Sequence, residues 1–369
     1  MSKVLIVGSS GNMGKALCYA MNKLGHEVCK ADSLCDSNEI IQFDAKNKKD
    51  IQKVLLDHKM PIDLVISALP YYHNFMIARE AIIENIPYFD LGGHVETSHK
   101  IKNMASEKDS LVLTDLGLAP GWINILAEQS FRQLDNKADS IEMAVGGIPI
   151  DKSSGGPLNY IPNWSISGLL NEYRDNCEIL RNGEIITVKG MSGLSSLIID
   201  KYKLEAFYTS GGASHTLKTM QQKGVLNCNY KTLRWPGHNE LINWLLKSNL
   251  SDKNLEKLIN TYFTTGTSTG SAIQEGHQQR KKDNQVILYC QAKRKELSWT
   301  YKKIVLDDNF DEEISFTAMQ KCTAFPCASA VQTIIEKSEA LSGRNVLNYS
   351  DIDYEIFNNS LKRIDKSFF

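Results

Sequence analysis

The chain of 369 residues is long enough for two domains of about 150 residues each. Its 42 basic and 43 acidic residues leave a net charge of -1, which excludes the strongly basic surface by which proteins hold nucleic acid or anionic lipid. No run of about 20 apolar residues could span a bilayer, and the short polar start leads into an apolar strand without room for a signal peptide. We therefore expect a cytoplasmic protein with neither a nucleic-acid nor a membrane partner.

The eight cysteines are spread along the chain. They form no C-x-x-C pair and no Cys/His cluster with the spacing of zinc ligands. We predict buried free thiols and no metal site.

Apolar strands and amphipathic helices alternate from residue 3 to residue 115. The predicted strands begin near Val4, Glu27, Ile40, Leu64, Pro87 and Leu111, and the predicted helices cover 12–24, 48–57, 74–85 and 96–106. The strands are apolar throughout, which is typical of a parallel sheet covered by helices on both faces. The predicted fold class is therefore α/β, with a doubly wound parallel sheet over residues 1–120.

The second half of the chain mixes short strands with helices. Strands are predicted over 141–148, 184–189, 226–233, 285–292 and 297–306, and helices over 122–134, 164–174, 237–248 and 252–263. This order predicts an α+β domain with a mixed sheet over residues 121–323. A stretch rich in Thr, Ser and Gly over 264–284 predicts a loop, and the last two strands predict a hairpin. Two further helices, from about residue 324 and from Ser350, are expected to pack back on the first domain, so that residues 324–369 complete it.

The segment from Gly8 to Gly14 follows the first strand directly and opens the first helix. Its spacing is G-x-x-G-x-x-G, one residue longer in the first interval than the G-x-G-x-x-G dinucleotide fingerprint. In this context the glycines permit a tight turn and a close approach of the backbone to a pyrophosphate at the helix N-terminus. We predict a Rossmann domain that binds NAD, with the cofactor contacted here by Gly8, Ser10, Gly11, Asn12 and Met13.

An acidic residue, Asp32, ends the second strand 18 residues after Gly14. Its carboxylate would accept hydrogen bonds from the ribose hydroxyls of NAD and repel the 2′-phosphate of NADP, so NAD is the predicted cofactor. A solvated aspartate in a β–α turn is the alternative interpretation. Asp44, just after the third strand, is predicted to lie near the adenine, with a helix N-cap as the alternative.

Ligands of open α/β sheets bind beyond the carboxyl ends of the strands. The residues at those ends that we expect beside the cofactor are Ser67, Ala68, Leu69, Pro70 and Gly92. The same ends carry side chains that could move protons, namely Tyr71, Asp90, His94 and Asp115. The alternative for either aspartate is that it only ties a loop to backbone N–H groups.

Four sequence motifs follow one another from residue 115 onward. They are Asp115-Leu-Gly-Leu-Ala-Pro-Gly-Trp-Ile-Asn124, then Gly146-Gly-Ile-Pro149 with segments 157–160 and 164–173, then Glu205-Ala-Phe-Tyr-Thr-Ser-Gly211, and Tyr230-Lys-Thr-Leu-Arg-Trp-Pro-Gly-His238. Together they resemble the saccharopine dehydrogenase family, and more closely its lysine 6-dehydrogenase branch, from Val4 through His238. The resemblance implies a Rossmann domain with an inserted α/β domain, an amino acid held in the cleft between them, and oxidation of a C–N bond by NAD(P). It also suggests a homodimer formed through the sheet of the second domain.

Two departures from the family pattern bear on the substrate. Saccharopine reductases have an acidic residue where this chain has Ala119, and an arginine in the segment corresponding to 209–214, where Gly211-Gly212-Ala213 offers no cation. Without that cation, a substrate as acidic as saccharopine would leave a buried carboxylate unpaired, which is costly. A simpler amine, L-lysine or a close diamino acid, is the predicted substrate.

The predicted reaction is oxidative deamination of the terminal amine to the semialdehyde, with release of ammonia. His94 is the predicted general base because imidazole titrates near neutrality, and Tyr71 and Asp115 are the alternatives.

Five residues are predicted to bind the substrate. Arg234, helped by Lys231, is expected to hold the α-carboxylate, because a guanidinium clamps a carboxylate through two hydrogen bonds. Glu172 is expected to hold a substrate ammonium, with a charged helix flank as the alternative. Tyr160 and Ser165, from the second motif, are further candidates for contact with the substrate.

Two other functions stay open. A saccharopine- or polyamine-type enzyme would form or split a secondary amine between two organic partners. A non-catalytic NAD(P)-binding sensor would keep the nucleotide domain without turnover, although the polar motifs of the second domain argue against it.

Overall fold

A computed structural model describes residues 1–34, 39–56, 61–108, 110–162, 164–248, 250–265, 284–308 and 314–368. The chain falls into two units, one formed by Met1–Ile125 with Gln320–Phe369 and the other by Leu126–Met319. Most of the loop predicted over 264–284 lies outside the described residues, as does Cys35, whereas the other seven cysteines are buried and free. Among the described helices, none combines the length and the apolar character needed to cross a bilayer.

The regular elements follow one another in this order. The strands are β1 (Lys3–Val7), β2 (Glu27–Asp32), β3 (Ile40–Gln42), β4 (Leu64–Ser67), β5 (Tyr88–Asp90), β6 (Val112–Leu113), β7 (Ser140–Pro149), β8 (Cys177–Arg181), β9 (Glu184–Val188), β10 (Ser195–Ile199), β11 (Tyr202–Tyr208), β12 (Asn227–Arg234), β13 (Asn284–Arg294) and β14 (Leu297–Leu306). The helices are α1 (Asn12–Lys23), α2 (Lys48–Leu55), α3 (Tyr71–Ile83), α4 (Val95–Ser106), α5 (Trp122–Gln133), α6 (Ile166–Arg174), α7 (Thr216–Gln222), α8 (His238–Leu246), α9 (Asp252–Thr265), α10 (Ala318–Glu336) and α11 (Tyr354–Ile364). Short 3₁₀ helices cover Lys152–Leu158, Tyr349–Asp351 and Lys366–Phe368.

The first unit is built on a parallel sheet with the strand order β3-β2-β1-β4-β5-β6. Its central strands are apolar and buried on both faces, and all of β4 is buried. Side chains of α2, α3 and α4 pack in one core with those of the strands. The predicted α/β class with a doubly wound sheet is therefore confirmed, because only a sheet covered on both sides requires strands of this composition.

The C-terminal part of the chain extends this sheet beyond β6. The N–H of Val112 donates to the carbonyl of Asn345 at 2.8 Å, and the N–H of Leu347 donates to the carbonyl of Val112 at 2.9 Å. Slightly further on, the hydroxyl of Tyr349 donates to the carbonyl of Asp115 at 2.8 Å. These three hydrogen bonds hold β6 and the segment after it, which carries Asp115.

The second unit contains a mixed sheet with the order β10-β11-β12-β7-β13-β14, to which β8 and β9 add at β12. Among the described strands of this sheet, β12 and β7 are the pair that runs parallel, and the others are antiparallel. The sheet curls, since Leu197 of β10 and Ile304 of β14 pack against one core and Lys302 lies 3.8 Å from Asp200 at the β10–β11 turn. The mixed sheet predicted for this half is confirmed.

Three strands and one helix of this unit are absent from the predicted elements: β8, β10, β11 and α7. The sequence of β11 alternates apolar and polar residues from Tyr202 to Ala206, but this run is only five residues long, and the structure buries the polar Glu205 together with Leu204, Ala206 and Phe207. The helix α7 has only seven residues, too few to show a helical period.

Side chains of β12 alternate between the two faces of the sheet, and this alternation determines which residues can share a site. Leu233 belongs to the core inside the curl, with Ala144 and Ile287. Tyr230 and Arg234 point to the opposite face, where α6 and α8 pack around Phe207. We refer to this second side as the α6–α8 face.

Candidate active site

The glycine loop turns between β1 and α1 as the sequence predicted. Gly8 has a φ of +82°, and Gly11 stands at the N-cap of α1, where no side chain of the described residues caps the first turn. The first N–H groups of α1 are therefore open to an anion, with Asn12 and Met13 as its first residues. Ser10 precedes this helix start, and its N–H donates to the Asp32 Oδ2 atom at 2.9 Å.

Asp32 is buried at the end of β2 and is held by the backbone. Besides the contact from Ser10, its Oδ1 atom accepts the N–H of Leu34 at 3.0 Å. Oδ1 also accepts the hydroxyl of Ser33 at 3.4 Å, so the second lone pair of Oδ2 is the one that can accept a ribose hydroxyl. An uncapped helix start with an acidic side chain beside it fits the diphosphate and ribose of a nicotinamide dinucleotide.

Asp44 does not take part in this arrangement. It is exposed, and its Oδ1 atom accepts the N–H of Lys46 at 2.9 Å in a local turn. The alternative proposed from the sequence, a helix N-cap, belongs to Asn47, whose side chain accepts from Lys49 at 3.0 Å.

The end of β4 lies against the glycine loop. A Cβ atom built on Gly8 would approach Leu69 Cδ2 to 3.0 Å and the Ala68 carbonyl carbon to 3.1 Å. Ser67 is buried and donates to Asn74 Oδ1 at 2.8 Å, and Pro70 stands at the N-cap of α3. Four of the predicted cofactor contacts, Ser67 to Pro70, are thus brought next to the loop.

Tyr71 and His94 are brought together where α3 and α4 begin. Their rings stack with centroids 4.8 Å apart and an interplanar angle of 17°. His94 is the N-cap of α4, and its Nδ1 atom accepts the N–H of Thr97 at 3.3 Å. A ring nitrogen that accepts carries no proton, so in the neutral ring the Nε2 atom holds it. In this arrangement His94 offers a donor at Nε2, and a base role requires the other tautomer.

Asp90 and Asp115 form a buried pair beside these residues. Asp90 Oδ1 accepts the N–H groups of Gly92 at 2.8 Å and of Asp115 at 3.0 Å, and Asp115 Oδ1 accepts the hydroxyl of Ser98 at 2.6 Å. Burial, and next the neighbouring charge of Asp115, raise the pKa of Asp90 to about 7. The carboxylate of Asp115 is buried and ties α4 to the strand ends, as the alternative interpretation from the sequence expected, and its role as a general base stays a prediction. Gly92, predicted to contact the cofactor, has a φ of +77°. Its N–H donates to Asp90 instead of standing open at the end of the strand.

The second unit gathers a guanidinium and several aromatic rings on the α6–α8 face. Arg234 is 4% exposed, its Cζ atom lies 4.7 Å from the centroid of the Tyr160 ring, and its Nε atom donates to the hydroxyl of Tyr173 at 3.0 Å. Within the described residues no carboxylate comes within ion-pair distance of Arg234. A buried guanidinium without an anionic partner is costly, which makes it a candidate to receive an anion from a ligand.

Glu172 of α6 is a half-buried acid close enough to Arg234 for the two charges to interact. Packing around the carboxyl raises the pKa of Glu172 to about 8, and the charge of Arg234 acts in the opposite direction. The carboxylate accepts no hydrogen bond from the described side chains or backbone. The site therefore presents a cation, Arg234, and an acid, Glu172, that are not joined in an ion pair.

Two of the predicted substrate contacts are not brought to Arg234. Lys231 is three residues before it in β12 and points to the opposite face, where its Nζ atom donates to Ser195 Oγ at 2.8 Å and lies over the Tyr208 ring. The prediction that Lys231 helps to bind the same carboxylate is corrected, because an odd separation in a strand places two side chains on opposite faces. Ser165 is exposed at the N-cap of α6, where its Oγ atom accepts the N–H of Gly168 at 3.2 Å. It precedes Glu172 by about 10 Å of helix.

Three residues of this face were not assigned a role from the sequence. Tyr173 and His238 contact each other at 3.0 Å between the hydroxyl and Nε2. Glu205 accepts the N–H groups of Gly237, at 3.0 Å, and of Asn239, and so fixes the start of α8. The sequence feature that could have identified His238 is its position four residues after Arg234, at the turn where β12 ends and α8 begins.

Two family models and several curated proteins match this chain. The model of the Saccharopine dehydrogenase C-terminal domain matches residues 117–368, and that of the NAD dependent epimerase/dehydratase family matches residues 4–86. Alpha-aminoadipic semialdehyde synthase of Rattus norvegicus is 24% identical over 273 residues, which cover 68% of this chain and 28% of that protein. Saccharopine dehydrogenase [NADP(+), L-glutamate-forming] of Schizosaccharomyces pombe is 22% identical over 210 residues, 52% of this chain and 44% of that protein. The matches thus span less than half the length of these curated relatives.

Two solved structures share the fold. Apo saccharopine dehydrogenase (L-Glu forming) from Saccharomyces cerevisiae has a TM-score of 0.72 at 16% identity and covers 100% of this chain and 98% of its own. The homospermidine synthase from Legionella pneumophila, solved in complex with NAD, has a TM-score of 0.64 at 11% identity, covering 98% of this chain and 89% of that one. Because the matched C-terminal domain accounts for more than half of the sequence, the chain belongs to the saccharopine dehydrogenase family of oxidoreductases.

Proposed function

We propose that the protein is an NAD-dependent oxidoreductase acting on a C–N bond, which converts the terminal amine of L-lysine or a close diamino acid to an aldehyde. One observation carries the choice of substrate. Arg234 and Glu172 lie on one face without forming an ion pair, so a carboxylate and an ammonium of the same ligand can pair with them separately. An α-amino acid head group has these two charges next to each other.

The head group would bind with its carboxylate on Arg234 and its ammonium on Glu172. Charge-assisted hydrogen bonds of this kind contribute more than neutral ones, particularly where water is excluded. The ammonium favours the ionised form of Glu172 and so counteracts the burial that raises the pKa of this acid. The rings of Tyr160 and Tyr173 hold the guanidinium and shield it from water.

The number of charges favours lysine over saccharopine. Lysine has one carboxylate, and Arg234 is a buried cation of the α6–α8 face that can pair with it. A substrate with several carboxylates would need further cations, and the loop at Gly212 supplies none. A side chain at this position has no room, because a Cβ atom built on Gly212 would lie 2.2 Å from the Tyr230 ring.

In the proposed reaction the substrate ammonium loses a proton and the ε-carbon loses a hydride, leaving an imine that water converts to the semialdehyde and ammonia. NAD+, held by the glycine loop and Asp32, supplies the hydride acceptor. We propose that His94, next to Tyr71, takes the substrate proton through Nε2 in the tautomer that carries its own hydrogen on Nδ1, where the Thr97 hydroxyl, 3.0 Å away, can accept it. Each turnover consumes one lysine, one NAD+ and one water and yields the aldehyde, NADH, an ammonium ion and a proton.

A second candidate keeps the fold and changes the amine. The similarity to saccharopine dehydrogenases over 52% of the chain favours a reaction that forms or splits a secondary amine. Such an enzyme needs two organic partners, an amino donor and a carbonyl compound, and would not release ammonia from lysine alone.

The test is the absorbance of NADH after mixing the protein with NAD+ and L-lysine at mildly alkaline pH. Parallel reactions contain NADP+ in place of NAD+, and saccharopine, ornithine or putrescine in place of lysine. We expect lysine-dependent NADH together with an equal amount of ammonia. Turnover of saccharopine alone would establish the second candidate, and bound NADH without any turnover would favour a nucleotide sensor.

The prediction for Arg234 uses Arg234→Met and compares it with Lys231→Met on the opposite face of the same strand. Loss of the guanidinium should raise the KM for lysine about 10- to 100-fold, the range expected for a charge-assisted pair, while the affinity for NADH stays unchanged. Lys231→Met should leave the KM for lysine within about twofold. Equal increases in the two variants would contradict the assignment of the carboxylate to Arg234.

A further inference from the structure

We propose that Tyr173 and His238 are positioning residues that hold the guanidinium of Arg234 in the orientation in which it receives the substrate carboxylate. The inference rests on the proposed function, since it assigns a role to two residues that stand behind the substrate-binding arginine. Neither residue is placed in contact with the substrate.

The contact is a chain of three hydrogen bonds running from Arg234 into the protein. Arg234 Nε lies 3.0 Å from the Tyr173 hydroxyl, and that hydroxyl lies 3.0 Å from His238 Nε2. On the other side of the imidazole, Nδ1 lies 2.8 Å from the carbonyl oxygen of Leu158. The chain links β12, α6, α8 and the 3₁₀ helix that ends at Leu158.

The two ends of this chain and the charge of Arg234 together fix the direction of its bonds. A guanidinium N–H can only donate, so the Tyr173 oxygen accepts from Arg234 and donates its own proton to His238 Nε2 when that nitrogen is unprotonated. A carbonyl oxygen can only accept, so His238 Nδ1 must carry a proton and donate it to Leu158. His238 therefore carries a proton on Nδ1, and it is neutral because an imidazolium, which would donate from Nε2 to a second lone pair of the Tyr173 oxygen, would place another positive charge in the buried site beside Arg234.

The surroundings keep the imidazole in this state. His238 is fully buried, with the Phe207 ring stacked on it at 9° and the Tyr160 ring edge-on at a centroid distance of 5.5 Å. Burial, and next the charge of Arg234, lower the pKa of His238 to about 3. An imidazole that stays neutral across the physiological range offers Tyr173 a constant acceptor.

The chain leaves part of the guanidinium available. An arginine side chain has five N–H donors, of which Nε takes Tyr173 and one on Nη1 takes the carbonyl of Leu233 at 2.9 Å. The other three, on the two η nitrogens, meet no acceptor among the described residues. The guanidinium is thus fixed through Nε while its outer edge can bind both oxygens of a carboxylate.

The first test compares L-lysine with cadaverine, which is lysine without its carboxylate. In Tyr173→Phe the KM for lysine should rise about 5- to 10-fold, as expected for one lost hydrogen bond, with kcat within about twofold. Cadaverine, measured as substrate or as competitive inhibitor, should bind with unchanged affinity because it does not use Arg234. A purely structural defect would weaken the binding of both ligands alike.

Two substitutions at the end of the chain and one control extend this test. His238→Leu should act as Tyr173→Phe does, and His238→Gln, which keeps an acceptor for the tyrosine hydroxyl, should recover part of the lysine affinity. Tyr202→Phe makes the same chemical change at a buried tyrosine inside the curl of the sheet, and should leave the ratio of the two affinities as in the wild type. An unchanged ratio in Tyr173→Phe overturns the proposal.

A second measurement does not depend on turnover. In protein labelled with ¹⁵N-histidine, the His238 resonances should report a neutral ring protonated on Nδ1 at every pH from 5 to 8, and the resonance of the unprotonated Nε2 should shift in Tyr173→Phe, which removes the hydroxyl that donates to it. A ring protonated on Nε2, or one that titrates near 6.5, overturns the proposal even if lysine is oxidised. Failure of all amines to bind, with the expected signature present, would instead count against the proposed function and leave the hydrogen-bond chain established.

Discussion

Asp90 is the residue whose charge state should affect the stability of the first unit most directly. It is 1% exposed at the end of β5, and the groups facing it are Asp115, Tyr88, Lys102 and Cys327. Burial and the charge of Asp115 raise its pKa, which outweighs the N–H groups that favour the ionised form. Lys102 is affected in the complementary way, since burial lowers its pKa and the two acids oppose that shift.

The pH dependence follows from the direction of this shift. Asp90 titrates at a pKa of about 7 in the folded chain and at 3.8 without the surrounding structure, so between these values the folded state binds the proton more tightly. Its contribution to the free energy of unfolding is therefore present below about pH 4, falls as the pH rises to about 7, and is constant above that.

We predict that Asp90→Asn removes this part of the pH dependence. Asparagine keeps the acceptor for Gly92 and Asp115 and cannot ionise, so the variant should gain about 1 to 3 kcal/mol relative to the wild type between pH 5 and pH 8. Urea unfolding followed by circular dichroism at both pH values gives the two differences. Asp200→Asn, at an exposed turn, is the control and should follow the wild type. Parallel curves for Asp90→Asn and the wild type would show that Asp90 is already ionised at pH 5.

At the scale of elements, the two glycines at the start of α1, Gly11 and Gly14, have different roles. A Cβ atom on Gly14 would lie 2.0 Å from the Gly8 carbonyl oxygen, whereas one on Gly11 would lie 3.3 Å from the same atom. Gly14 therefore allows α1 to pack against the end of β1, and Gly11 keeps the approach to the helix N-terminus clear.

We predict opposite outcomes for the two alanine substitutions. Gly14→Ala should lower the free energy of unfolding by about 1 to 3 kcal/mol, because α1 must move away from the turn. Gly11→Ala should change stability little and yet weaken NADH binding at least tenfold, because its methyl group stands where the diphosphate approaches the backbone. Thermal unfolding and quenching of protein fluorescence by NADH measure the two effects. Tight NADH binding by Gly11→Ala would show that the nucleotide does not approach this turn.

The elements also show how far the sequence alone could predict the structure. The hairpin predicted over 285–292 and 297–306 is formed by Asn284–Arg294 and Leu297–Leu306, because its alternation is regular and its tip is polar. The opposite orientation of Lys231 and Arg234 was also predictable, from the strand period of two. The contact of Tyr173 with His238 was not, since it joins residues 65 positions apart and depends on how two helices pack on the sheet.

At the scale of the whole molecule, the sheet of the second unit ends in an edge strand with an apolar stripe. On one face of β14, Leu297 is 59% exposed, and the rings of Trp299 and Tyr301 stack with centroids 6.2 Å apart. Exposed apolar edge strands are normally covered, because they pair readily with other chains. Aromatic side chains of this kind are typical of the centres of protein interfaces.

We propose that the chain is a homodimer that covers this stripe with a second copy. Light scattering should then give particles of twice 41.4 kDa for the wild type, and Trp299→Lys should shift them toward 41.4 kDa, because a charge buried at the interface lacks a partner. Trp244→Lys is the matched control, since Trp244 is 70% exposed on α8 of the same unit and should leave the dimer intact. Circular dichroism of both variants verifies that they are folded. A wild type that is monomeric at micromolar concentration, or a dimer unaffected by Trp299→Lys, would rule out this stripe as the contact.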